Sequence, residues 1–433
     1  MQEHQEHQEK KSLTLYTNYY YPEVASLAQL CKDLCEGLSD EFNITVICSV
    51  PCYTGTVEEK YRKAKYYFET YEEVNVIRVH VPEYDKHNKI SRVKNILAYF
   101  FRSLRASFKA PKADYVLAES QPPVLGGLLG VLGKWINRIR GKKTKFIYII
   151  QDYNPEQTMV VGFSKNKLIL KLMMLFDKFS CKRADKVVVV GRDMIPTMEK
   201  RFTKRNGKIS KKMPKTVFIN NWMDEKEVYP LPKNDERVVA FRRKYGLEDK
   251  FVIMYSGNIG LFYDLENIFK VIEKFKDRED IMFPFVGEGT EKDKLVEYVE
   301  KHGMKNVIFI PYQAKEELAY SLNSADVCWV VNAEGIKGVS CPSKLYGILA
   351  TATPIIAVLE EGTEAREVIE STNCGYAVSP KDYDGIEKLI IKFAKISKED
   401  LEAMGVRGYE YMKEHFTRDI SIERYREEIK GCG

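Results

Sequence analysis

Short apolar runs, each the length of a single strand, recur along the 433-residue chain and alternate with stretches of helical spacing. In the first half they are SLTLYT (12–17), NITVIC (43–48), NVIRVH (75–80), DYVLAE (114–119), KFIYII (145–150), KVVVV (186–190) and KTVFI (215–219). Runs this continuous do not suit a sheet wet on one side. They predict parallel strands covered on both faces. Between the first two, Val24, Leu27, Cys31, Leu34, Cys35 and Leu38 mark one face of a helix, so the chain opens with a β-α-β unit. The segment DEKEVYPLPKNDE (224–236), with Pro230 and Pro232, breaks the rhythm and reads as a linker. The rhythm restarts with FVIMYSG (251–257), IMFPFVG (281–287), NVIFIP (306–311), DVCWVV (326–331) and PIIAVL (354–359), alternating with helical segments such as 264–277 and 291–302.

The fold class this predicts is α/β, with two tandem Rossmann-like, doubly wound domains facing a cleft. The length suits two domains. The expected division is a flexible N-terminal tail at 1–11, a first domain at 12–222 and a second at 223–414. Ligands of such sheets sit beyond the carboxyl ends of the strands, which makes the cleft the expected site.

The net charge of +6 is unevenly spread. Residues 86–112 carry eight Lys/Arg and no acid, 134–145 carry six, and 201–215 carry seven, which suggests an anionic partner. No RNP, KH or zinc pattern points to nucleic acid. The nine cysteines lack metal-ligand spacing and read as buried thiols of a reducing compartment. The uncharged stretch PPVLGGLLGVLG (122–133) is too short to span a bilayer, and residues 1–11 do not read as a signal peptide, so none is expected before the first strand. The expected location is therefore cytoplasmic, or peripheral on the inner face of the plasma membrane. In NILAYFFRSLRASFK (95–109), Leu97, Phe101, Leu104 and Phe108 share a helical face flanked by Arg102, Arg105 and Lys109. That face could lie on an anionic membrane surface or pack on its own sheet, and both readings stay open.

Four strand-to-helix turns of the second half could hold phosphate. They are YSGNIGLFYDLENI (255–268), FVGEGTEKDKL (285–295), CPSKLYG (341–347) and EEGTEAREV (360–368). Glycines at such turns let backbone N–H groups approach an anion, and Lys344 could meet a phosphate oxygen as a point charge. Each turn alone is also ordinary turn chemistry, and Glu364 also suits a helix's first turn as a plain carboxylate. Together they favour a nucleotide-diphosphate pocket. In the first half, Asp152 and Glu156, with Glu23 behind them, are the carboxylates able to orient or deprotonate a hydroxyl; helix capping is the alternative.

The ordered series YSGNIG…FVGEG…NVIFIPY…ADVCWV…PSKLYGILATATPIIAV resembles the donor half of GT-B glycosyltransferases of family 4. The similarity is to the subgroup that builds bacterial capsule, O-antigen and colanic-acid-type exopolysaccharides, the L-fucosamine-transferase-like enzymes among them. YYYPEVASLAQLCKDL (19–34), IQDYNPE (150–156) and FINNWMD (218–224) extend the resemblance through the first half.

The resemblance implies retaining transfer of a sugar from a nucleotide-diphosphate donor, UDP favoured, to a saccharide or polyprenyl-diphosphate-linked acceptor. It implies no metal or other cofactor, and a last helix (415–433) crossing back to the first domain. Lys344, Asp152 and Glu156 become the catalytic candidates. Gly257, Asn258, Gly260, Gly287, Gly289, Tyr312, Ser343, Lys344 and Glu364 become the donor-binding set, and Glu23, Gln151 and Asp152 the acceptor-binding set. The chain departs from the wider family where an Arg and a Lys commonly grip the diphosphate, with Asn258 and Tyr263 there. Two glutamates eight apart are replaced by Val339 and Gly347, and a first-domain histidine by Gln151. A 2-epimerase of the same architecture and a non-catalytic partner subunit are the alternatives.

Overall fold

The computed structural model describes residues 10–23, 25–85, 88–160, 162 and 166–432. Most of the expected tail (1–9) and Val24 lie outside the described residues.

Eight strands form the first sheet: β1 (Lys11–Tyr16), β2 (Phe42–Ser49), β3 (Tyr66–Tyr71), β4 (Val74–Val79), β5 (Tyr115–Glu119), β6 (Lys145–Ile150), β7 (Lys186–Val189) and β8 (Lys215–Phe218). Their order is β3-β4-β2-β1-β5-β6-β7-β8, and β3 alone runs antiparallel. Lys11, placed in the tail by sequence, already pairs with Phe42. The second sheet contains β9 (Phe251–Ser256), β10 (Ile281–Val286), β11 (Val307–Ile310), β12 (Val327–Val331), β13 (Ile355–Val358) and β14 (Gly375–Val378). Its order is β11-β10-β9-β12-β13-β14, parallel throughout. The α/β class with two Rossmann-like sheets is thus observed, and every run read as a strand is one. Sequence missed β3 and β14. The alternate residues of β3 face solvent, and β14 is a four-residue, half-buried edge, so neither shows a continuous apolar run.

Side chains such as Leu15, Val46, Val188, Ile253 and Val330 are completely buried, each contributing about 1.5–3 kcal/mol by leaving water. Helices Lys89–Ser107, Leu125–Ile139 and Lys167–Arg183 lie side by side on one face of the first sheet. The glycine-rich run 122–133 is explained here: a Cβ at Gly130 would strike the Phe146 ring, so the bare backbone lets helix Leu125–Ile139 settle onto β6. On the other face lies helix Ser26–Leu38. Helix Arg418–Lys430, at the end of the chain, packs against it, with Arg426 bonded to Asp40 at 2.9 Å and to the Gly37 carbonyl at 2.7 Å. The preceding helix, Lys398–His415, packs instead on Lys344–Ala350 in the second half. All nine cysteines are buried and unpaired.

Candidate active site in the cleft

Loops at the carboxyl ends of the two sheets meet edge to edge. Asp152 and Ser340 form an antiparallel bridge, and the Tyr153 N–H donates to the Val339 carbonyl at 2.9 Å. The Gly338 N–H donates to Asp193 Oδ2 at 2.8 Å. Between the loops is a cavity of about 250 Å³. From the second half Asn258, Tyr263, Asn332, Ser343 and Lys344 line it; from the first half Gln121, Gln151, Asp152, Gln157 and Asn221 do.

Lys344 opens helix Lys344–Ala350, which is anchored by the buried Leu345, Ile348 and Leu349. Its side chain runs over Gly257, where a Cβ would lie 2.5 Å from Lys344 Cε. Gly257 has φ +134° and Gly287 +136°, conformations that L side chains resist. A Cβ at Gly287 would strike the Gly257 carbonyl, and one at Gly289 the Ile259 carbonyl. These glycines let neighbouring turns close on each other beneath the cavity. Gly257, Gly260, Gly287 and Gly289, expected in the donor-binding set, are not among its lining residues and are closely packed.

The Lys344 ammonium lies 3.7 Å from the Tyr263 ring centroid and 4.6 Å from that of Tyr255, a cation–π arrangement. Burial alone pulls its pKa from 10.5 to about 7, with no carboxylate acting against the shift. Tyr263 thus supports, through its ring, the single Lys or Arg among the described residues that line the cavity. The Asn258 side chain lines the cavity, while its carbonyl accepts from the Tyr255 hydroxyl at 2.5 Å. A side chain at Gly347 would point at Met223 Cε, 3.1 Å away, and at Leu322 rather than into the cavity. Val339 is buried among the core side chains of the first half. Neither glutamate position of the wider family opens onto this cavity.

On the opposite wall, Asp152 accepts hydrogen bonds from Ser340, Gln157 and Gln121, yet desolvation still raises its pKa. Gln151 accepts at 2.8 Å from Asn221 and hydrogen-bonds to the carboxyl of Glu119. Glu119, which sequence reading passed over as a strand residue, is fully enclosed at the end of β5. Burial pushes its pKa to about 8, and its Oε2 has no partner. Its signal in the sequence is an acid closing an otherwise apolar run.

Four further candidates take other places than expected. Both carboxylate oxygens of Glu156 are taken by Arg201, with Nε at 2.7 Å, and Glu156 does not line the cavity. Arg201 also holds Asp177 at 2.5 Å, so Glu156 belongs to a structural ion cluster. Glu364 is held across the halves by Arg192, through its N–H at 3.1 Å and its guanidinium at 2.5 Å. That clamp occupies the carboxylate proposed for a donor. Glu23 accepts from the backbone of Cys52 and Tyr53 and lies in a second depression with Pro51, Cys52 and Tyr53, which shares no lining residue with the main cavity. Tyr312 is exposed beside Tyr53 and also lies outside the cavity lining.

Two Rossmann-like sheets joined over a cleft, with the half-buried Lys344 on the second wall, are the arrangement of the GT-B fold. Residues 239–411 match the family model "Glycosyl transferases group 1". Over 350 residues, 79% of this chain and 81% of the relative, the sequence is 28% identical to "Probable glycosyltransferase WbjE" of Pseudomonas aeruginosa. It is 25% identical over 68% of its length to the "Putative colanic acid biosynthesis glycosyl transferase WcaI" of Escherichia coli K12, covering 69% of that protein. In fold it is similar to HepE of Anabaena, solved with UDP and glucose, at TM-score 0.68 and 12% identity over 97% of this chain and 99% of that one. The protein is a glycosyltransferase.

Proposed function

We propose that the protein transfers a sugar, with retention of anomeric configuration, from a nucleoside-diphosphate donor, a UDP-sugar first, to a saccharide acceptor carried on a lipid diphosphate. The observation that carries this reading is Lys344, a cation set in the cleft wall over two rings with no carboxylate to neutralise it. Such a site wants an anion. A departing diphosphate supplies it, and the developing charge is met by a preorganised donor in a water-poor cleft. HepE, solved with UDP and glucose, and WcaI, named for colanic acid biosynthesis, support the donor class and a role in bacterial polysaccharide assembly.

Across the cavity, Asp152 and Gln151 would orient the acceptor hydroxyl, with Glu119 fixing the Gln151 amide from behind. Ser343 and Asn258 add neutral donors to the diphosphate side. The reading calls for no metal. Its test is incubation with a panel of UDP- and GDP-sugars, with and without saccharide acceptors, in EDTA. Acceptor-dependent product from a UDP-sugar supports it. Conversion of the sugar nucleotide without any acceptor would replace it with epimerisation.

A further inference from the structure

The first half leaves two apolar helix faces uncovered. In helix Lys89–Ser107 and its continuation, Ile90, Val93, Leu97, Phe101 and Phe108 fall on one stripe at helical spacing. All are exposed, Ile90 by 69% and Phe108 by 59%. The sheet is instead contacted by the opposite face, through Tyr99, Ser103 and Ala106. Helix Lys167–Arg183 repeats the arrangement. Leu168, Ile169, Leu172, Leu175 and Phe176 are exposed, while Asp177, Ser180 and Cys181 point inward. Helix Leu125–Ile139 lies between the two and contributes the exposed Trp135 and Ile139. Uncovered apolar area on this scale marks an interaction surface.

Charge selects the occupant. Residues 89–109, 125–143 and 167–183 together hold sixteen Lys/Arg, of which Lys134 and Lys142 are paired with Asp185 and Asp114, and a single acid, Asp177, which is buried and paired with Arg201. Two copies of such a face would repel each other. A nucleic acid would meet the charge but leave the protruding Leu and Phe side chains in water. An anionic phospholipid surface satisfies both. Among the described residues no helix is long and apolar enough to cross a membrane, so contact would be made in the interface plane. The position also suits the cleft: Met159, exposed just before helix Lys167–Arg183, follows the loop that carries Asp152, and its neighbour Val160 lies 3.3 Å from a Cβ placed on Gly335 of the second half.

We propose that the outer face of helices Lys89–Ser107, Leu125–Ile139 and Lys167–Arg183 docks on an anionic phospholipid bilayer and sets the cleft mouth beside it. This goes beyond the donor-site reading and does not depend on it. The test is co-sedimentation of the full chain with phosphatidylcholine vesicles, with and without phosphatidylglycerol, for the wild type and for a Leu172→Glu/Leu175→Glu variant. Calorimetric titration with UDP and light scattering accompany it. Both substituted positions are exposed, so the fold is expected to persist.

The expected result is binding to phosphatidylglycerol vesicles that weakens with salt and falls about tenfold or more in the variant. UDP binding should be equal in the two proteins. No sedimentation with anionic vesicles, or equal sedimentation of variant and wild type, overturns the proposal. So does a wild-type dimer that the substitutions dissociate, which would assign the face to a second copy. UDP binding is read separately, so loss of membrane docking and failure of the donor site are distinguishable.

Discussion

Two cations in this molecule, Arg201 buried and Lys344 half-buried, have opposite surroundings. Arg201, under the first sheet's helices, is held by Glu156 and Asp177, donates to the Asn154 carbonyl and lies over the Tyr153 ring. Its charge is fully answered within the fold. Lys344, on the far side of the cleft, has only the faces of Tyr255 and Tyr263, and no carboxylate contributes to its titration. The carboxylates divide the same way. Glu156 and Glu364 are each clamped by an arginine, whereas Asp152 is met only by neutral donors. Charge answered inside the fold holds the fold together. Charge left unanswered at a cavity wall is available to a ligand.

The comparison breaks if the answered cation proves dispensable for folding. Arg201→Met strands two carboxylates and should cost about 3–5 kcal/mol of stability in a denaturant titration. Lys344→Met should do the reverse, lowering kcat by about 10²-fold or more while leaving stability equal or higher. Near-wild-type turnover in Lys344→Met would remove it from the chemistry.

Glu119 sharpens the contrast through pH. Its carboxyl titrates near 8 in the folded chain against 4.5 ordinarily, so between those values the native state holds more protons than the unfolded one. Stability contributed by Glu119 is therefore lost as pH rises through that window, on the order of 4 kcal/mol by its upper end. Glu119→Gln should flatten the slope in thermal unfolding followed from pH 5 to 8, while keeping the hydrogen bond to Gln151. Gly347→Ala should matter least. The nearest atom is the flexible Met223 methyl group, so stability should shift by less than about 1 kcal/mol and the Km for donor should stay put. A large rise in that Km would return the position to the donor site.

The sheets were legible because a strand buried on both faces writes its burial into every residue. β3 and β14 were not, being edges with one side in water. The site was legible where it sits on turns after strands: Lys344, Ser343, Asn258, Gln151 and Asp152 all reach the cavity. Glu156 and Glu364 were misread because their arginine partners lie 45 and 172 residues away along the chain, pairings that local spacing does not encode. Glycines read as phosphate cradles carry positive φ or close packing, which leaves the same mark in a sequence. Glu119 escaped because its meaning depends on Gln151 and Cys31 enclosing it.

The central claim is that Lys344 is poised between charge states and takes its counter-ion from a nucleoside diphosphate. Its most direct test is calorimetric titration of UDP near pH 8 in two buffers of different ionisation enthalpy, on wild type and on Lys344→Met. With an empty-site pKa of about 7, Lys344 is mostly neutral at that pH and must gain a proton when the diphosphate arrives. The account predicts proton uptake by the wild type, affinity that weakens as pH rises above 7, and loss of that uptake in the variant. Binding with no proton uptake, or with equal uptake in Lys344→Met, would contradict it.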